Sequence, residues 1–197
     1  MLDVQHSPLD ATVIDLLVER NLLTEGHFAY PSGRHSSLRV DRDRLLADPA
    51  IASRMGYAMA KRFFTDHLHT IAAPSIWGAG LAQWVAYFLD PKAKVVYATP
   101  VNGVPTISPQ LTQLIEGQRV LLVDNLIITG ETMAGFDNLV GDLGGEVIGI
   151  GTLWNECGPE IAGHPVFGLL NTLDAAYPPD QCPICLEGGE PVVEVPY

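Results

Sequence analysis

The alternation of apolar and polar residues is clearest in the middle of the chain. Four apolar residues at 120–123 predict a strand that is buried on both faces of a parallel sheet. Asp124 and Asn125 end that apolar run, and from Met133 onwards apolar residues recur at spacings of three and four, which predicts a helix. The segment is therefore predicted to form a strand, a polar loop and a helix, with Thr-Gly-Glu-Thr at residues 129–132 where the helix begins.

The same patterns predict further strands and helices on both sides of this segment. Helices are expected near residues 8–23 and 49–64 and up to about residue 89, and strands at 37–41, 70–73, 94–97, 146–153 and 164–170. Residues 99–116, which contain three prolines, are expected to form a loop. Strands that alternate with helices and carry polar motifs at their ends predict an α/β domain with a doubly wound parallel sheet.

Composition narrows the classes of function. The chain has 197 residues, 47% of them hydrophobic, which is enough for one well-buried α/β domain. Its formal net charge is -12 and it has no basic run, which argues against nucleic acid and anionic membranes as partners. No apolar run reaches the length of a membrane span, and three cysteines do not make a disulfide framework. We therefore expect a cytoplasmic protein.

The start of the predicted central helix has the chemistry of an anion site. Unused backbone N–H groups and the helix dipole favour negative charge at this point. Gly130 allows close approach of a ligand to the backbone, and Thr129 and Thr132 add hydroxyl donors. Asp124, at the carboxyl end of the strand, can accept hydrogen bonds from a diol. A ligand that combines a phosphate with a sugar would use both groups.

Residues 119–132 resemble the loop that binds phosphoribosyl pyrophosphate (PRPP) in type I phosphoribosyltransferases. The family's pattern is a hydrophobic strand, two acids, two apolar positions and Thr-Thr-Gly-x-Thr. The resemblance implies that Asp124 and Asn125 face the ribose and that Thr129, Gly130, Glu131 and Thr132 hold the 5′-phosphate. It also implies Asp124 as the catalytic residue and Mg²⁺ as the cofactor. Two positions depart from the pattern, because Asn125 replaces the second acid and Ile128 replaces the first Thr.

Residues 27–41 are similar to the N-terminal segment of orotate phosphoribosyltransferases, which contacts the base and forms part of the dimer. The match rests on five residues in register: Phe28, Ser32, Gly33, Ser36 and Asp41. Pro31 stands where that family has a lysine that touches the pyrophosphate. Arg34 could supply the missing cation, or could be an ordinary surface arginine. The resemblance therefore implies a small N-terminal hood and a homodimer.

A strand-to-helix turn at residues 74–82 resembles the family's pyrophosphate loop. Its candidate ligand residues are Ser75, Gly78, Ala79 and Gly80, since glycines at such a turn permit close backbone contact with phosphate. After the strand at 146–153, Trp154 and Asn155 occupy the place where the orotate enzymes carry an Asp-Arg pair. We assign Asn155 to the substrate site, and Trp154 either stacks on a base or packs against the helices.

The greatest departure from the family is a lack of cations. There is no Lys, Arg or His between Tyr97 and Arg119, where the orotate enzymes have a mobile loop with a catalytic lysine. Two hypotheses follow. The first is a phosphoribosyltransferase that transfers a phosphoribosyl group from PRPP to a nucleobase and releases pyrophosphate. The second is a catalytically impaired homologue that binds PRPP or a nucleoside monophosphate as a sensor.

We assign residues 1–177 to one phosphoribosyltransferase domain, with the hood built largely from residues 1–45, and residues 178–197 to a tail with prolines and cysteines. In the tail, Cys182 and Cys185 have the C-x-x-C spacing of half a zinc site, and Cys157 is the one further thiol. Inert or mutually paired thiols are the alternative to zinc.

Overall fold

The computed structural model describes residues 8–102, 104–171 and 176–195. Its helices are α1 (Pro8–Glu19), α2 (Arg42–Ala47), α3 (Pro49–Phe63), α4 (Ile76–Leu89), α5 (Pro109–Thr112), α6 (Glu131–Asp142) and α7 (Pro183–Leu186). Its strands are β1 (Leu23–Ala29), β2 (His35–Val40), β3 (Thr70–Ala73), β4 (Lys94–Val101), β5 (Val104–Ile107), β6 (Arg119–Ile127), β7 (Glu146–Asn155), β8 (Glu160–Ile161), β9 (His164–Asn171), β10 (Ala176–Tyr177) and β11 (Val193–Glu194). A 3₁₀ turn covers Pro179–Gln181.

The larger sheet has the strand order β5-β4-β3-β6-β7-β9-β8. Its five inner strands are parallel, and the two edge strands, β5 and β8, are antiparallel to their neighbours. One core cluster contains residues of α1, α3 and α4, and a second contains residues of α6, with side chains of the central strands in both. Helices thus cover both faces, and the predicted doubly wound α/β sheet is confirmed.

The smaller sheet forms the hood, and its strand order is β10-β2-β1-β11. Strands β1 and β2 make an antiparallel hairpin, and β11 lies parallel to β1 with Phe28 opposite Val193. Phe28, Tyr30 and Val195 form a buried cluster that packs against Leu126 and Ile128 at the end of β6. The hood is therefore assembled from both sequence ends of the described chain, and the segment that we predicted as a separate tail supplies one of its strands.

Several predicted boundaries differ from the structure. Strand β6 continues past Asp124 to Ile127, because Leu126 and Ile127 pair with Trp154 and Asn155 on β7, which is also longer than predicted. The first half of the stretch predicted as a loop contains an antiparallel hairpin of β4 and β5, in which Thr99 pairs with Thr106. The polar pair Asp124-Asn125 interrupts the apolar pattern of β6 before Leu126 and Ile127, and residues 99–106 carry no apolar run. The pairing partner therefore decides both extensions rather than the local pattern.

Helix α1 ends at Glu19, several residues before the predicted end. The chain turns at Asn21, whose φ of +52° lies in the left-handed region, and this turn directs Leu22 into the core. None of the helices in the described ranges is long and apolar enough to cross a membrane.

Candidate functional site

An open cleft of about 440 Å³ lies at the carboxyl edge of the parallel strands, between the central sheet and the hood. Parallel α/β sheets bind their ligands at this edge. Four parts of the chain line it: the β1–β2 turn, the start of α2, the start of α4, and the segment from the end of β6 into α6. The lining residues are Pro31, Ser32, Arg42, Ser75, Trp77, Asp124, Asn125, Leu126, Ile127, Ile128, Thr129, Gly130, Thr132 and Met133.

Asp124 is the carboxylate of the cleft. It is half-buried on β6, and its Oδ1 accepts a hydrogen bond of 2.8 Å from the backbone N–H of Asn125. Burial raises the pKa of Asp124 to about 6, and the Asn125 N–H and the Arg42 charge oppose that rise. The carboxylate is therefore mostly ionised at neutral pH. Burial leaves it with fewer hydrogen bonds than it would have in water, and hydroxyl groups of a ligand would supply them.

Asn125 also faces the cleft, and its side chain is only 3% exposed. Its Nδ2 has no hydrogen-bond partner among the described residues. A buried amide donor without a partner is unusual and costs about 1–3 kcal/mol. The amide is thus available to a ligand in the cleft.

The Thr-Gly-Glu-Thr turn begins helix α6, with Gly130 at the N-cap and a φ of +81°. A Cβ atom on Gly130 would lie 2.8 Å from the sulfur of Cys157, so both the backbone angle and the space require glycine. The Cys157 thiol donates to the carbonyl oxygen of Thr129 at 3.3 Å and supports the turn from behind. The first turn of α6 therefore presents its backbone N–H groups to the cleft as an anion site.

The predicted pyrophosphate loop is only partly in the cleft. Ser75 lines it and caps α4 by accepting from the N–H of Gly78 at 3.2 Å. Gly78 is a packing glycine, because its α-carbon faces the backbone of β6, while Ala79 is buried in the core and Gly80 is exposed. Gly78, Ala79 and Gly80 are not among the residues that line the cleft. Here Gly78 allows the helix to approach the sheet closely.

Arg42 is a cation of the cleft that the sequence analysis missed. Its side chain is 13% exposed, and its guanidinium carbon lies 4.9 Å from the centroid of the Trp77 ring. Asp41 caps helix α2 by accepting from the N–H of Arg44 at 3.1 Å, which places Arg42 at the first helical position. The only signal in the sequence was this cap directly after a predicted strand.

Three predicted site residues have other roles in the structure. The Nε of Arg34 donates to the carbonyl oxygen of Ala176 at 3.0 Å, which ties the hood turn to β10. Asn155 donates to the carbonyl oxygen of Gly158 at 2.7 Å and accepts from the N–H of Cys157 at 3.1 Å, so it shapes the loop after β7. Glu131 is exposed in the first turn of α6. None of the three lines the cleft, and Trp154 is 2% exposed in the core, which favours packing over stacking.

Glu156 is a second buried acid that the sequence did not single out. Its side chain is 6% exposed, and neither carboxyl oxygen has a hydrogen-bond partner among the described residues. Burial raises the pKa of Glu156 to about 8, although the nearby Arg34 charge acts in the opposite direction. At neutral pH this carboxyl is therefore mostly protonated.

Cys157 lies apart from the other two cysteines. Cys157 lies behind the Thr-Gly-Glu-Thr turn, whereas Cys182 and Cys185 lie in the hood, near two histidines. This corrects the predicted trio of thiols, because the fold separates β7 from the segment that contains α7.

A parallel α/β sheet with a carboxylate and a helix N-terminus in one cleft at its carboxyl edge is typical of enzymes that bind phosphorylated sugars or nucleotides. Comparison of the chain with known proteins identifies the family. The chain belongs to the phosphoribosyltransferase family, because the phosphoribosyl transferase domain matches residues 41–175. Within that family it is similar to orotate phosphoribosyltransferases. The one from Carboxydothermus hydrogenoformans is 31% identical over 182 residues, which cover 91% of this chain and 93% of the relative. The one from Desulforamulus reducens is 29% identical over 177 residues, 89% and 91% of the two chains.

A solved structure of orotate phosphoribosyltransferase from Mycobacterium tuberculosis H37Rv, in complex with PRPP, has the same fold. The TM-score is 0.60 at 19% identity, over 86% of this chain and 93% of that one. The resemblance drawn from residues 119–132 and 27–41 is therefore confirmed. The hypothesis of a catalytically impaired sensor gains no support, since the similar proteins carry the name of an active transferase.

Proposed function

We propose that this protein is an orotate phosphoribosyltransferase of pyrimidine biosynthesis. It transfers the phosphoribosyl group of PRPP to a ring nitrogen of orotate, so that a C–N bond forms at the ribose C1 and the C–O bond to pyrophosphate breaks. The observation that carries the proposal is the placement of Asp124 and the Thr129–Thr132 turn in one cleft, with a carboxylate and a helix N-terminus both facing it.

Each end of PRPP then has a partner of suitable chemistry. The N–H groups and hydroxyls at Thr129, Gly130 and Thr132 bind the 5′-phosphate, because a helix N-terminus favours anions. Asp124 accepts hydrogen bonds from the ribose hydroxyls and stabilises the positive charge that develops on the ribose as pyrophosphate departs. The amide of Asn125, unpartnered among the described residues, adds a donor on the hood side of the same sugar.

Arg42 is the cation that we assign to the pyrophosphate. It lines the same cleft as Thr129, Gly130 and Thr132, and its contact with the Trp77 ring holds the guanidinium in place. From residue 98 to residue 118 the sequence has no Lys, Arg or His, so we assign this charge stabilisation to Arg42, together with Mg²⁺. A planar guanidinium suits a diphosphate, because it can donate two parallel hydrogen bonds.

We also propose Mg²⁺ as the cofactor. The oxygen donors of the cleft fit this ion, because Asp124 is a half-buried carboxylate in an open cleft and Mg²⁺ takes carboxylate and phosphate oxygens while it keeps several waters. Asp124 and the oxygens of PRPP would hold it. When bound, Mg²⁺ supplies positive charge to the pyrophosphate leaving group.

A homodimer is part of the proposal. Helices α3 and α4 carry a surface aromatic group of Tyr57, Trp84, Tyr87 and Phe88, in which Tyr87 and Phe88 have ring centroids 5.2 Å apart. Tyr57 and Tyr87 are 51% and 65% exposed. A contiguous aromatic surface of this kind is typical of subunit interfaces. Light scattering of the purified chain, and of the variant Tyr87→Glu, tests it: the variant should be monomeric.

The function is tested by calorimetry and a pyrophosphate-release assay on the same samples. PRPP should bind more tightly with Mg²⁺ than without it. Pyrophosphate should be released when orotate is present, and not when uracil or a purine base replaces it. The variant Asp124→Asn should lose release. Binding of PRPP without release from any base would overturn the proposed activity, and release with a purine base would reassign the substrate.

A further inference from the structure

Four metal-ligating side chains meet in the hood, outside the cleft. They come from both sequence ends of the described chain: His27 from β1, His35 from β2, Cys182 from the residue before α7 and Cys185 from within α7. One ligand atom of each lies within 4.8 Å of all the others. Within the described ranges this is the one group of three or more such residues that could hold a metal ion.

The distances among these atoms match those of a tetrahedral site. The Nε2 of His27 is 3.5 Å from the sulfur of Cys182 and 3.5 Å from that of Cys185. The Nδ1 of His35 is 3.3 Å from the sulfur of Cys185 and 3.0 Å from the Nε2 of His27. Bonds of ~2.3 Å to sulfur and ~2.0–2.1 Å to nitrogen in a tetrahedral zinc site separate the ligand atoms by roughly 3.3–3.8 Å. These four distances are close to those values and the other two pairs lie within 4.8 Å, so shifts of up to about 1 Å would seat the ion.

A second contact orients one of the histidines. The Nδ1 of His27 donates to the backbone carbonyl oxygen of Glu190 at 2.8 Å. That bond fixes the proton on Nδ1 and leaves the lone pair of Nε2 directed at the other three ligands. Histidine ligands of metals nearly always have such a partner for their second nitrogen.

We propose that His27, His35, Cys182 and Cys185 bind a structural Zn²⁺ ion that fastens the C-terminal segment to the β1–β2 hairpin. Two thiolates and two imidazoles in a tetrahedron are a ligand set that zinc prefers. Four protein ligands leave no position for substrate, so the site is structural. Cys182 and His27 are buried and Cys185 is exposed, which gives the ion a path of entry.

The site bears on the cleft through the hairpin that it holds. His27 and His35 flank the turn of residues 30–34, and Pro31 and Ser32 of that turn line the cleft. On the other side, the zinc-bound segment leads into β11, whose neighbour Val195 packs with Phe28 and Tyr30 over Leu126 and Ile128. Zinc therefore fixes the hood over the sugar side of the cleft, a consequence that rests on the proposed function.

The first test is the metal content of the reduced full-length chain, reloaded with Zn²⁺ and dialysed. We expect about one zinc per chain in the parent protein, and less than about one tenth of that in Cys182→Ser and in Cys185→Ser. Cys157→Ser is the matched control and should keep the zinc of the parent, because its sulfur lies behind the phosphate turn. An equal zinc content in all three serine variants, or none in the reduced parent, would overturn the proposal.

Cobalt supplies a signal that is independent of activity. Co²⁺ bound in this site should give thiolate-to-metal charge transfer and the intense visible bands of tetrahedral cobalt, with two thiolates in the coordination shell. Both features should vanish in Cys182→Ser and persist in Cys157→Ser. Weak octahedral spectra in the parent would contradict the proposal. It would also be contradicted if Cys182 and Cys185 formed a disulfide and the protein still took up no metal after that disulfide was reduced.

A third measurement separates this proposal from the proposed function. Removal of zinc by a chelator, followed by removal of the chelator and return of excess Mg²⁺, should raise the KM for PRPP at least several-fold, as should the Cys182→Ser change. The effect on kcat should be smaller, because the hood positions the substrate rather than reacting with it. If the protein shows no transferase activity with any base, the zinc content and the cobalt spectrum still decide the metal site.

Discussion

Gly78 on α4 packs directly against the end of the central strand: a Cβ atom on it would lie 2.8 Å from the carbonyl oxygen of Val123 and 3.0 Å from Oδ1 of Asp124. No side-chain Cβ fits at 2.8 Å from a backbone oxygen, so helix and strand can approach only through glycine. The close approach connects the position of α4 to the position of the Asp124 carboxylate.

We therefore expect Gly78→Ala to displace α4 or the Asp124 side chain. Overpacking of this kind costs about 1–3 kcal/mol of stability, and PRPP binding should weaken as well. Thermal unfolding and calorimetry measure the two effects. Gly80→Ala is the matched control two residues further along the same helix, where a Cβ atom would meet only Leu46 at 4.0 Å. It should be neutral or stabilise by up to about 1 kcal/mol, and a loss as large as that of Gly78→Ala would contradict the packing argument.

Asp124 should give PRPP binding a dependence on pH. Its pKa is raised to about 6 by burial, and the ionised form is the one that accepts hydrogen bonds from two ribose hydroxyls. Affinity for PRPP should therefore fall as the pH is lowered through about 6. Asp124→Asn should lower the affinity about 10- to 100-fold at pH 7.5, which is the size of a lost charge-assisted pair of bonds.

The same variant should also flatten the pH profile between 5 and 7. Titration calorimetry at several pH values checks this. Binding of free phosphate, measured at the same pH values, corrects for the ionisation of the PRPP phosphate. A pH profile that is unchanged in Asp124→Asn would show that another group causes it.

Glu156 should make the fold less stable at high pH. Its carboxyl has a pKa of about 8 in the folded chain and an ordinary value of 4.5 when unfolded. Between these values the folded state holds a proton that the unfolded state has lost, so stability falls as the pH rises from 4.5 towards 8. Glu156→Gln, which cannot ionise, should raise the free energy of unfolding at pH 8.5 by roughly 1–3 kcal/mol.

Denaturant unfolding at pH 4.5 and pH 8.5 measures this effect, and the gain should be present only at the higher value. Glu160→Gln, a change at an exposed acid on β8, is the control and should have a small effect at both. A gain of equal size at both pH values would mean that the amide makes new hydrogen bonds, and would remove the ionisation argument.

We expect a side chain at Gly130 to distort the turn of residues 129–132 and to weaken anion binding there. Gly130→Ala combines a backbone φ of +81° with a contact of 2.8 Å to the Cys157 sulfur. The strained angle costs about 1 kcal/mol and the contact adds to it, so phosphate and PRPP should both bind less tightly. Gly135→Ala, in the same helix with open space around its Cβ position, should bind as the parent does.

A double variant separates the two causes. Cys157→Ala removes the sulfur, so the pair Gly130→Ala and Cys157→Ala should recover the part of the loss that comes from the contact, leaving the backbone strain. Strict additivity of the two single changes in a double-mutant cycle would show that the contact contributes nothing.

Arg42 should matter for the pyrophosphate more than any other arginine near the hood. Arg42→Ala is expected to lower PRPP affinity by about 10-fold or more and to leave ribose 5-phosphate binding nearly unchanged, because only PRPP carries the diphosphate. Arg42→Lys keeps the charge and should recover part of the loss. Arg44→Ala is the control, since Arg44 is largely exposed and donates to the carbonyl oxygen of Asn21. Equal losses for the two ligands would place Arg42 elsewhere on the substrate.

The central strand, the acid near its end and the Thr-Gly-Glu-Thr turn into α6 could be predicted from the sequence because they are local. The apolar run at 120–123 and the Thr-Gly-Glu-Thr turn occupy one continuous stretch, and their chemistry does not depend on distant residues. The sheet class followed for the same reason, since each strand and helix carries its own period. Gly78, by contrast, was assigned to phosphate contact when its neighbour is strand β6, because spacing does not show which surface a glycine faces.

The rest of the site depends on long-range contacts. The position of Arg42 in the cleft depends on the cap at Asp41 and on the direction of the six-residue helix α2. No periodic pattern in the sequence predicts that direction. The cysteine pair had a visible motif, but its two histidine partners lie far earlier in the sequence and carry no motif of their own. Asn155 and Arg34 were plausible ligands by type, and only the hydrogen bonds to the Gly158 and Ala176 carbonyls show their other roles.

The hood imposes an order of events on synthesis at the ribosome. Strand β1 emerges early and stands with an open edge while more than 160 residues are added, because its parallel neighbour β11 is translated much later. An unpaired edge of this length is a site where a nascent chain associates with another copy of itself. A cell that makes this protein thus completes the central sheet first, and the hood closes over the cleft only when the segment that contains Cys182 and Cys185 has left the exit tunnel.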